Sequence, residues 1–468
     1  MSQTKPAKRI IEIKPVTDVD AKIYPRSIQG HFQRWRWFFV GLTQLVFYGL
    51  CWLPWNGRPA VLFDLDTRRF YLFDLVLWPQ DTIYLAVLLA LSAFALFLFT
   101  TVAGRLWCGY TCPQTVYTEI FLWLEKLVEG DRPKRIKLDA APWSARKLGI
   151  KTTKHALWLA LSLWTGLTFV GYFTPIRELL AGIAAFTLGP WEIFWILFYG
   201  AATYGNAGFL REHMCKYICP YAQFQFVMFD RDTLNITYDR ARGEARGTRQ
   251  KTADPRALGL GDCIDCSICV QVCPTGIDIR DGLQLECIGC AACIDACDQV
   301  MDKMNYPRGL IRYSTENAVA NKSPRSEIIR RAFRPRVLVY LSIFLGVALA
   351  TAWSLATRVP LKVAILRDRM AMSREAPDGS IENAFNLQLT NASEKARRYI
   401  VRVEGLPGLA LAEEPVLDVP AAAIGSAPLV LKVAPEAAGS GAHPIHITVQ
   451  DADDPSITAT ETAKFWLP

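Results

Sequence analysis

Apolar residues gather in five long runs, at about 36-55, 83-106, 155-174, 191-210 and 336-356, and none carries a charge near its middle. A helix needs roughly 20 such residues to cross a bilayer core. Buried helices of a soluble protein would show polar faces at helical spacing, and Leu85 to Thr101 has almost none. The pattern therefore predicts five transmembrane helices. Between the second and third runs, Tyr117 to Leu127 reads as a surface amphipathic helix leading into a basic loop, and 229-262 reads as a linker. After the fifth run the period changes from helical to two. Alternating stretches at Asn386-Thr390, Ile400-Val403, Leu429-Val433, Ile445-Val449 and Ala463-Trp466 are separated by Gly, Pro and Asp turns. Short strands at that spacing predict an all-β, immunoglobulin-like sandwich.

Charge then orients the runs. Lys5, Lys8, Arg9, Lys14, Lys22, Arg26 and Arg34 precede the first. Lys126, Arg132, Lys134, Arg135, Lys137, Arg146, Lys147, Lys151 and Lys154 lie between the second and third, and Arg325, Arg330, Arg331, Arg334 and Arg336 lead into the fifth. The connection after the first run holds only Arg58, Arg68 and Arg69, and the one after the third only Arg177. Lys and Arg collect on the cytoplasmic side. The expected topology is N-terminus in and C-terminus out, with no cleavable signal peptide and the first run as an anchor. The formal charge of +8 is mostly this membrane signal, which argues for contact with lipid and against nucleic acid. With 51% hydrophobic residues, 14 Trp and 24 Phe, the chain has material for several domains.

The cysteines supply the chemistry. Cys263, Cys266, Cys269 and Cys273 with Pro274, then Cys287, Cys290, Cys293 and Cys297, form two runs of one spacing. Zinc modules favour two separated pairs. Two runs of four fit two cubane [4Fe-4S] clusters, where three close thiolates hold one cube and the fourth reaches the other. The first cluster would take Cys263, Cys266, Cys269 and Cys297, and the second Cys287, Cys290, Cys293 and Cys273. Asp298 stands where proline usually follows the last cysteine, a departure that bears on turn geometry and potential more than on ligation.

Two further pairs share the pattern Cys-x-Tyr-x-Cys-Pro: Cys108 and Cys112 before Pro113, and Cys215 and Cys219 before Pro220. Each follows an even-numbered run and is therefore expected at the inner membrane face, as if runs one and two were repeated by three and four about an axis along the membrane normal. Cysteines four apart share a helix face, so the pairs could offer four sulfurs to one point, a donor set for Cu(I), iron or zinc. Buried packing is the plainer use of such cysteines. The neighbours Arg211, Glu212, His213 and Met214 could add a ligand or a proton path but read first as interfacial anchors, with the imidazole of His213 the one singled out for metal contact. Cys51 reads as packing, and Met370 with Met372 could touch Cu(I) or simply pack. No nucleotide-binding glycine loop or flavin fingerprint appears, so the electron donor is external.

The order of parts, with Asp262-Cys263-Ile264-Asp265-Cys266, Gly276-Ile277-Asp278-Ile279-Arg280-Asp281-Gly282, Leu285-Glu286-Cys287-Ile288 and Pro307-Arg308-Gly309-Leu310-Ile311, resembles the cytochrome c oxidase accessory proteins, the family called CcoG, FixG or RdxA. The resemblance implies a bacterial inner-membrane iron-sulfur protein that assists assembly of a cbb-type haem-copper oxidase. It also implies reduction of Cu(II) to Cu(I) as a cupric reductase, with copper ion, copper chaperones and oxidase assembly factors as partners. The residues carried over are the eight cluster cysteines and the two pairs. Two other readings stand beside it: an electron carrier linked to quinol or ferredoxin, and an assembly scaffold without redox work. The expected division is 1-35, a cytoplasmic arm; 36-228, four transmembrane helices with the two pairs; 229-335, a cytoplasmic ferredoxin-type domain; 336-356, the fifth helix; and 357-468, a periplasmic sandwich.

Overall fold

The computed structural model describes residues 22-255, 257-367, 373-413 and 416-468. Met370 and Met372, and Lys5, Lys8, Arg9 and Lys14 of the N-terminal arm, lie outside them. The chain divides into two compact units, one gathering residues up to Val40, Thr100–Trp158 and Gly205–Ala332, the other Gly41–Phe99, Leu159–Tyr204 and Phe333–Pro468. The expected 36-228 region is thus shared between two units.

Two helices among the described residues are long and apolar enough to cross a membrane, Pro79–Ala103 and Pro335–Ala356. Ile176–Ala185 and Pro190–Ile218, bent by 105°, would together make a third. Helices His31–Gly49 and Ala145–Val170 lie over the first and third apolar runs. Both begin in polar sequence: Arg34 and Arg36 enter the former, and Arg146, Lys147, Lys151 and Lys154 the latter. The count of five spans therefore still rests on the sequence pattern.

In the first unit the expected amphipathic helix is present as Pro113–Glu129, with Phe121 and Leu124 buried. The basic loop after it is instead a helix, Arg132–Ala140, capped by Asp131. Its cations are used in pairing. Glu125 accepts from Arg135 at 2.5 Å and Arg211 at 2.7 Å, Lys154 lies 3.1 Å from Glu129, and Lys151 bridges Glu129 and Asp139. The 229-262 stretch is more than a linker. Asn235–Tyr238 pairs antiparallel with Ile311–Ser314, and Ile236 and Tyr238 enter the core that also contains Cys263 and Cys269. Alternation of polar and apolar residues over four positions was too short a signal to separate from loop. Asp295 of helix Ala292–Met304 accepts from the backbone of Phe32 (3.2 Å) and Gln33 (2.8 Å), fixing the start of helix His31–Gly49.

In the second unit all five expected strand stretches lie in strands of two facing sheets. One contains Leu361–Arg367, Ile381–Asn391, Ala410–Leu411 and Ile424–Val433, with Arg374–Glu375 at its side; the other contains Arg397–Glu404, Val416–Val419, Gly441–Asp451 and Thr458–Leu467. Inward residues alternate along each strand, and Leu387, Leu389, Tyr399, Leu431, Ile445, Ile447, Val449 and Phe465 are fully buried between the sheets. The 56-82 connection is itself structured: Val61–Asp64, Arg69–Leu72 and Leu75–Leu77 form a small sheet whose Leu62, Tyr71 and Val76 pack with Ala392 and Ala422 of the sandwich. Cys51 is buried with Leu167, Val170, Ile176 and Leu179, which fits packing.

Candidate iron-sulfur and membrane-face sites

The first cysteine run winds through the short helix Ile268–Gln271, and the second leads into the longer helix Ala292–Met304, which carries Cys293 and Cys297. That folding brings the ends of the runs across each other. Cys297 lies in the electrostatic range of Cys269, Cys263 and Cys266, and Cys293 in that of Cys290, Cys287 and Cys273. Cys273, Cys287, Cys290 and Cys293, with Cys269, line one cavity. Cys269 also acts on Cys293, and each fourth cysteine thus lies near the three of the other run.

Among the described residues no three His, Cys, Asp or Glu side chains converge closely enough to bind one metal ion. A tetrahedral zinc would draw four sulfurs to about 2.3 Å from one point. A cubane takes one thiolate on each of its four irons, and the two crossed runs of four cysteines supply that donor set twice. Burial pushes the thiols of Cys269, Cys287 and Cys297 up to about 12. Such groups are neutral without metal and must release protons when they ligate. Cys266 is exposed, whereas Cys263, Cys269 and Cys290 are buried.

Asp298 does the work of a turn residue. Its carboxylate accepts from the backbone N–H of Gly309 at 2.9 Å, tying the cluster helix to the Pro307–Gly309 loop. Arg280 sits beside Cys269 and is neutralised by Asp278 and Asp265.

The membrane-face pairs adopt matching local structure, with one correction to the sequence reading. They do not sit four apart on an unbroken α-helix. Cys112 and Cys219 have each left the preceding turn, donate their N–H five residues back to Trp107 (3.1 Å) and Met214 (2.8 Å), and then cap helices Pro113–Glu129 and Pro220–Met228. Proline ends one turn and starts the next, and wide i→i+5 turns of this kind gather at functional sites. Burial raises the Cys112 thiol, while N–H groups of Gln114 and Thr115 at the helix start oppose it. Burial also pushes Cys108 up to about 11.

The four sulfurs share one neighbourhood. Cys112 and Cys219 act on Cys108, and Cys112, Cys108 and Cys219 on Cys215. Cys108 donates to Gln225 of the helix that follows the second pair, at 3.4 Å. Most consequentially, Cys108 and Cys215 pack with Cys290, Val272, Ile288, Ala292 and Ala296, so the membrane-face pairs abut the second four-cysteine group. Gly109 and Gly289 make this possible. A Cβ on Gly109 would lie 2.7 Å from the Gly289 carbonyl oxygen and 2.9 Å from Cys290 Cα. Tyr313 closes the contact by donating to Gly289 O at 2.6 Å.

His213 stacks on Tyr217 with centroids 5.8 Å apart, and Arg211 pairs with Glu125. Both are therefore accounted for by packing and pairing. Sequence reading missed Arg105, a lone arginine at the end of an apolar run. It is 4% exposed and donates to the carbonyls of Leu285, Cys287 and Ala222.

Comparison with known proteins agrees with this layout. A family described as "4Fe-4S dicluster domain" matches residues 210–316, "4Fe-4S binding domain" matches 85–151, and an "IG-like fold at C-terminal of FixG" matches 351–468. Nitrogen fixation protein FixG of Rhizobium meliloti is 38% identical over 84% of this chain and 81% of its own. From Cereibacter sphaeroides, RdxB is 41% identical over 84% of each chain, and RdxA is 39% identical over 93% of this chain and 91% of its own. A crystal structure of a FixG-related protein from Vibrio parahaemolyticus aligns with 23% of this chain and 95% of that one, at 20% identity and a TM-score of 0.21. Full-length relatives at this identity, together with eight cysteines folded into two groups of four, mean that the chain belongs to the FixG/RdxA family of iron-sulfur electron-transfer proteins.

Proposed function

We propose that this protein carries electrons from a cytoplasmic donor to cupric ion at Cys108, Cys112, Cys215 and Cys219, and that the Cu(I) formed serves assembly of a cbb-type cytochrome c oxidase. The observation that carries this reading is the packing of Cys108 and Cys215 against the buried cluster that contains Cys290, with Gly109 close to the Cys290 backbone. It sets a soft-donor site directly beside an iron-sulfur site, and thiolates retain Cu(I) in preference to Cu(II). Clusters supply one-electron chemistry at potentials that can lie near −400 mV or below, far below what cupric ion requires. Exposed Cys266 marks the face a donor would approach. The expected topology accompanies the proposal: a multi-pass inner-membrane protein with its clusters cytoplasmic and its sandwich periplasmic, in contact with copper chaperones and oxidase assembly factors.

The test uses full-length protein, purified anaerobically and reduced with dithionite. Adding Cu(II) should restore the oxidised visible spectrum while bicinchoninate traps Cu(I), and a variant with Cys108, Cys112, Cys215 and Cys219 all replaced by Ser should do neither. Reoxidation by a quinone and not by copper would support the electron-carrier alternative, and response to neither would support a scaffold. A second reading of the four cysteines has its own support, because the match to a 4Fe-4S binding domain covers Cys108 and Cys112 and the four sulfurs do not converge on one ion. On that reading they hold a third cubane. Iron content separates the two: close to eight irons in both wild type and quadruple variant favours copper, and twelve falling to eight favours the cubane.

A further inference from the structure

Arginine is buried in a protein when something negative accompanies it, because an unpaired internal charge is costly. Arg280, beside Cys269, obeys this through Asp278 and Asp265. Arg105 does not. It is 4% exposed, its terminal nitrogens meet only the carbonyls of Leu285, Cys287 and Ala222, and its buried Nε–H has no acceptor among the described residues. No carboxylate pairs with it among those residues. The groups it does face are sulfurs, which become negative when they ligate metal: Cys108, Cys287, Cys215 and Cys219 all lie within its electrostatic range. Its contacts also span the two assemblies, since Leu285 and Cys287 begin the second cluster run, and Ala222 lies three residues past Cys219 on the helix that Cys219 caps. Its own carbonyl lies 3.0 Å from where a Cβ on Gly289 would sit.

We infer that Arg105 is the counter-cation shared by the second four-cysteine group and the membrane-face cysteines, a positioning residue that holds the two together and sets the redox poise of the group beside it. The role in copper handling rests on the function proposed above; the role toward the cluster does not. Cluster potential depends on nearby charge and on hydrogen bonds to the sulfurs, and such surrounding groups tune a metal site strongly. Removing a cation disfavours the reduced, more negative form, so the potential falls. Arg36 also acts on Cys290, but its guanidinium is committed to Glu119 at 2.5 Å.

Arg105→Gln and Arg105→Lys in the full-length, cluster-loaded protein make the test, read by iron content, by redox titration followed by electron paramagnetic resonance, and by retention of Cu(I) against bicinchoninate. Both variants should keep wild-type iron. In Arg105→Gln one cluster should shift to lower potential while the other holds, and Cu(I) retention should weaken by about tenfold, the effect of losing one charge-assisted contact. Arg105→Lys, which keeps the charge, should shift less in both. Arg280→Gln should move the other cluster and so assign the two. Unchanged potentials in Arg105→Gln, equal shifts in the Gln and Lys variants, or iron lost from both would each overturn the inference. If wild type retains no Cu(I), the copper reading fails, and the titration alone decides what Arg105 does.

Discussion

At the scale of single residues, the contact between the two cysteine assemblies is set by the absence of side chains. Gly109→Ala would place a methyl within 3 Å of the Gly289–Cys290 backbone, which cannot rotate away as a side chain could. The expected outcome is a folded protein whose first cluster is intact and whose second shows a perturbed signal, with copper-driven reoxidation slowed at least tenfold. Stopped-flow reoxidation beside Gly41→Ala, where nothing lies within 4 Å, checks it. The crossed grouping makes a second prediction. Cys273→Ser should damage the cluster of Cys287, Cys290 and Cys293, and Cys297→Ser the cluster of Cys263, Cys266 and Cys269; Mössbauer spectra of the two variants would show opposite losses. Both groups were legible in the sequence because the spacing of thiolates is itself the wrapping of the cube. Arg105 and Gly109 were not, because their roles arise from a contact between segments about 180 residues apart. No local pattern encodes that.

At the scale of elements, the basic stretch between the second and third apolar runs is an ion-pair network on three helices. Burial alone would raise the Glu125 carboxyl, but Arg211, Arg135 and Lys154 hold it below the ordinary carboxylate range. A depressed carboxyl stabilises the fold above its unfolded value, and that stability is lost only as pH falls through the lower folded value. Helical content of the detergent-solubilised protein should therefore be flat from pH 8 to about 5 and decline below about 4; loss beginning near pH 6 would contradict the pairing. Glu125→Gln leaves Arg135 and Arg211 buried without their anion, which costs about 3–5 kcal/mol, and should lower the thermal midpoint at neutral pH. The alternation of the sandwich strands was readable residue by residue, since each strand has one buried face. The helix Arg132–Ala140 was hidden because its sequence is mostly charged, with only Ile136, Leu138 and Ala140 to mark an apolar face, and because it is held partly by Lys22, Tyr24 and Pro25, far away in the chain.

At the scale of the whole molecule, the same cations served two arguments. Read as a sequence, they orient the apolar runs by the excess of Lys and Arg in inner loops; read in the fold, many of them are paired with Glu125, Glu129 and Asp139. Pairing does not cancel the topological signal, because the bias depends on Lys and Arg far more than on net charge. The fold adds an independent constraint on which loops share a side. Leu62, Tyr71 and Val76 of the first connection pack on Ala392 and Ala422 of the sandwich, Arg58 pairs with Glu394, and Phe63 donates to Tyr172 O at 2.7 Å. If the apolar runs cross a membrane, segments that touch must share a side, which ties the first connection to the end of the third run at Tyr172 and to the C-terminal domain. Reporter fusions after about residues 70, 185 and 400 should accordingly read periplasmic, and fusions after about 130 and 300 cytoplasmic. A cytoplasmic reading after residue 70 with a periplasmic one after 400 would contradict the packing of the first connection on the sandwich. A periplasmic reading after 300 would instead break the proposed function, since the clusters would then sit on the far side from any cytoplasmic donor.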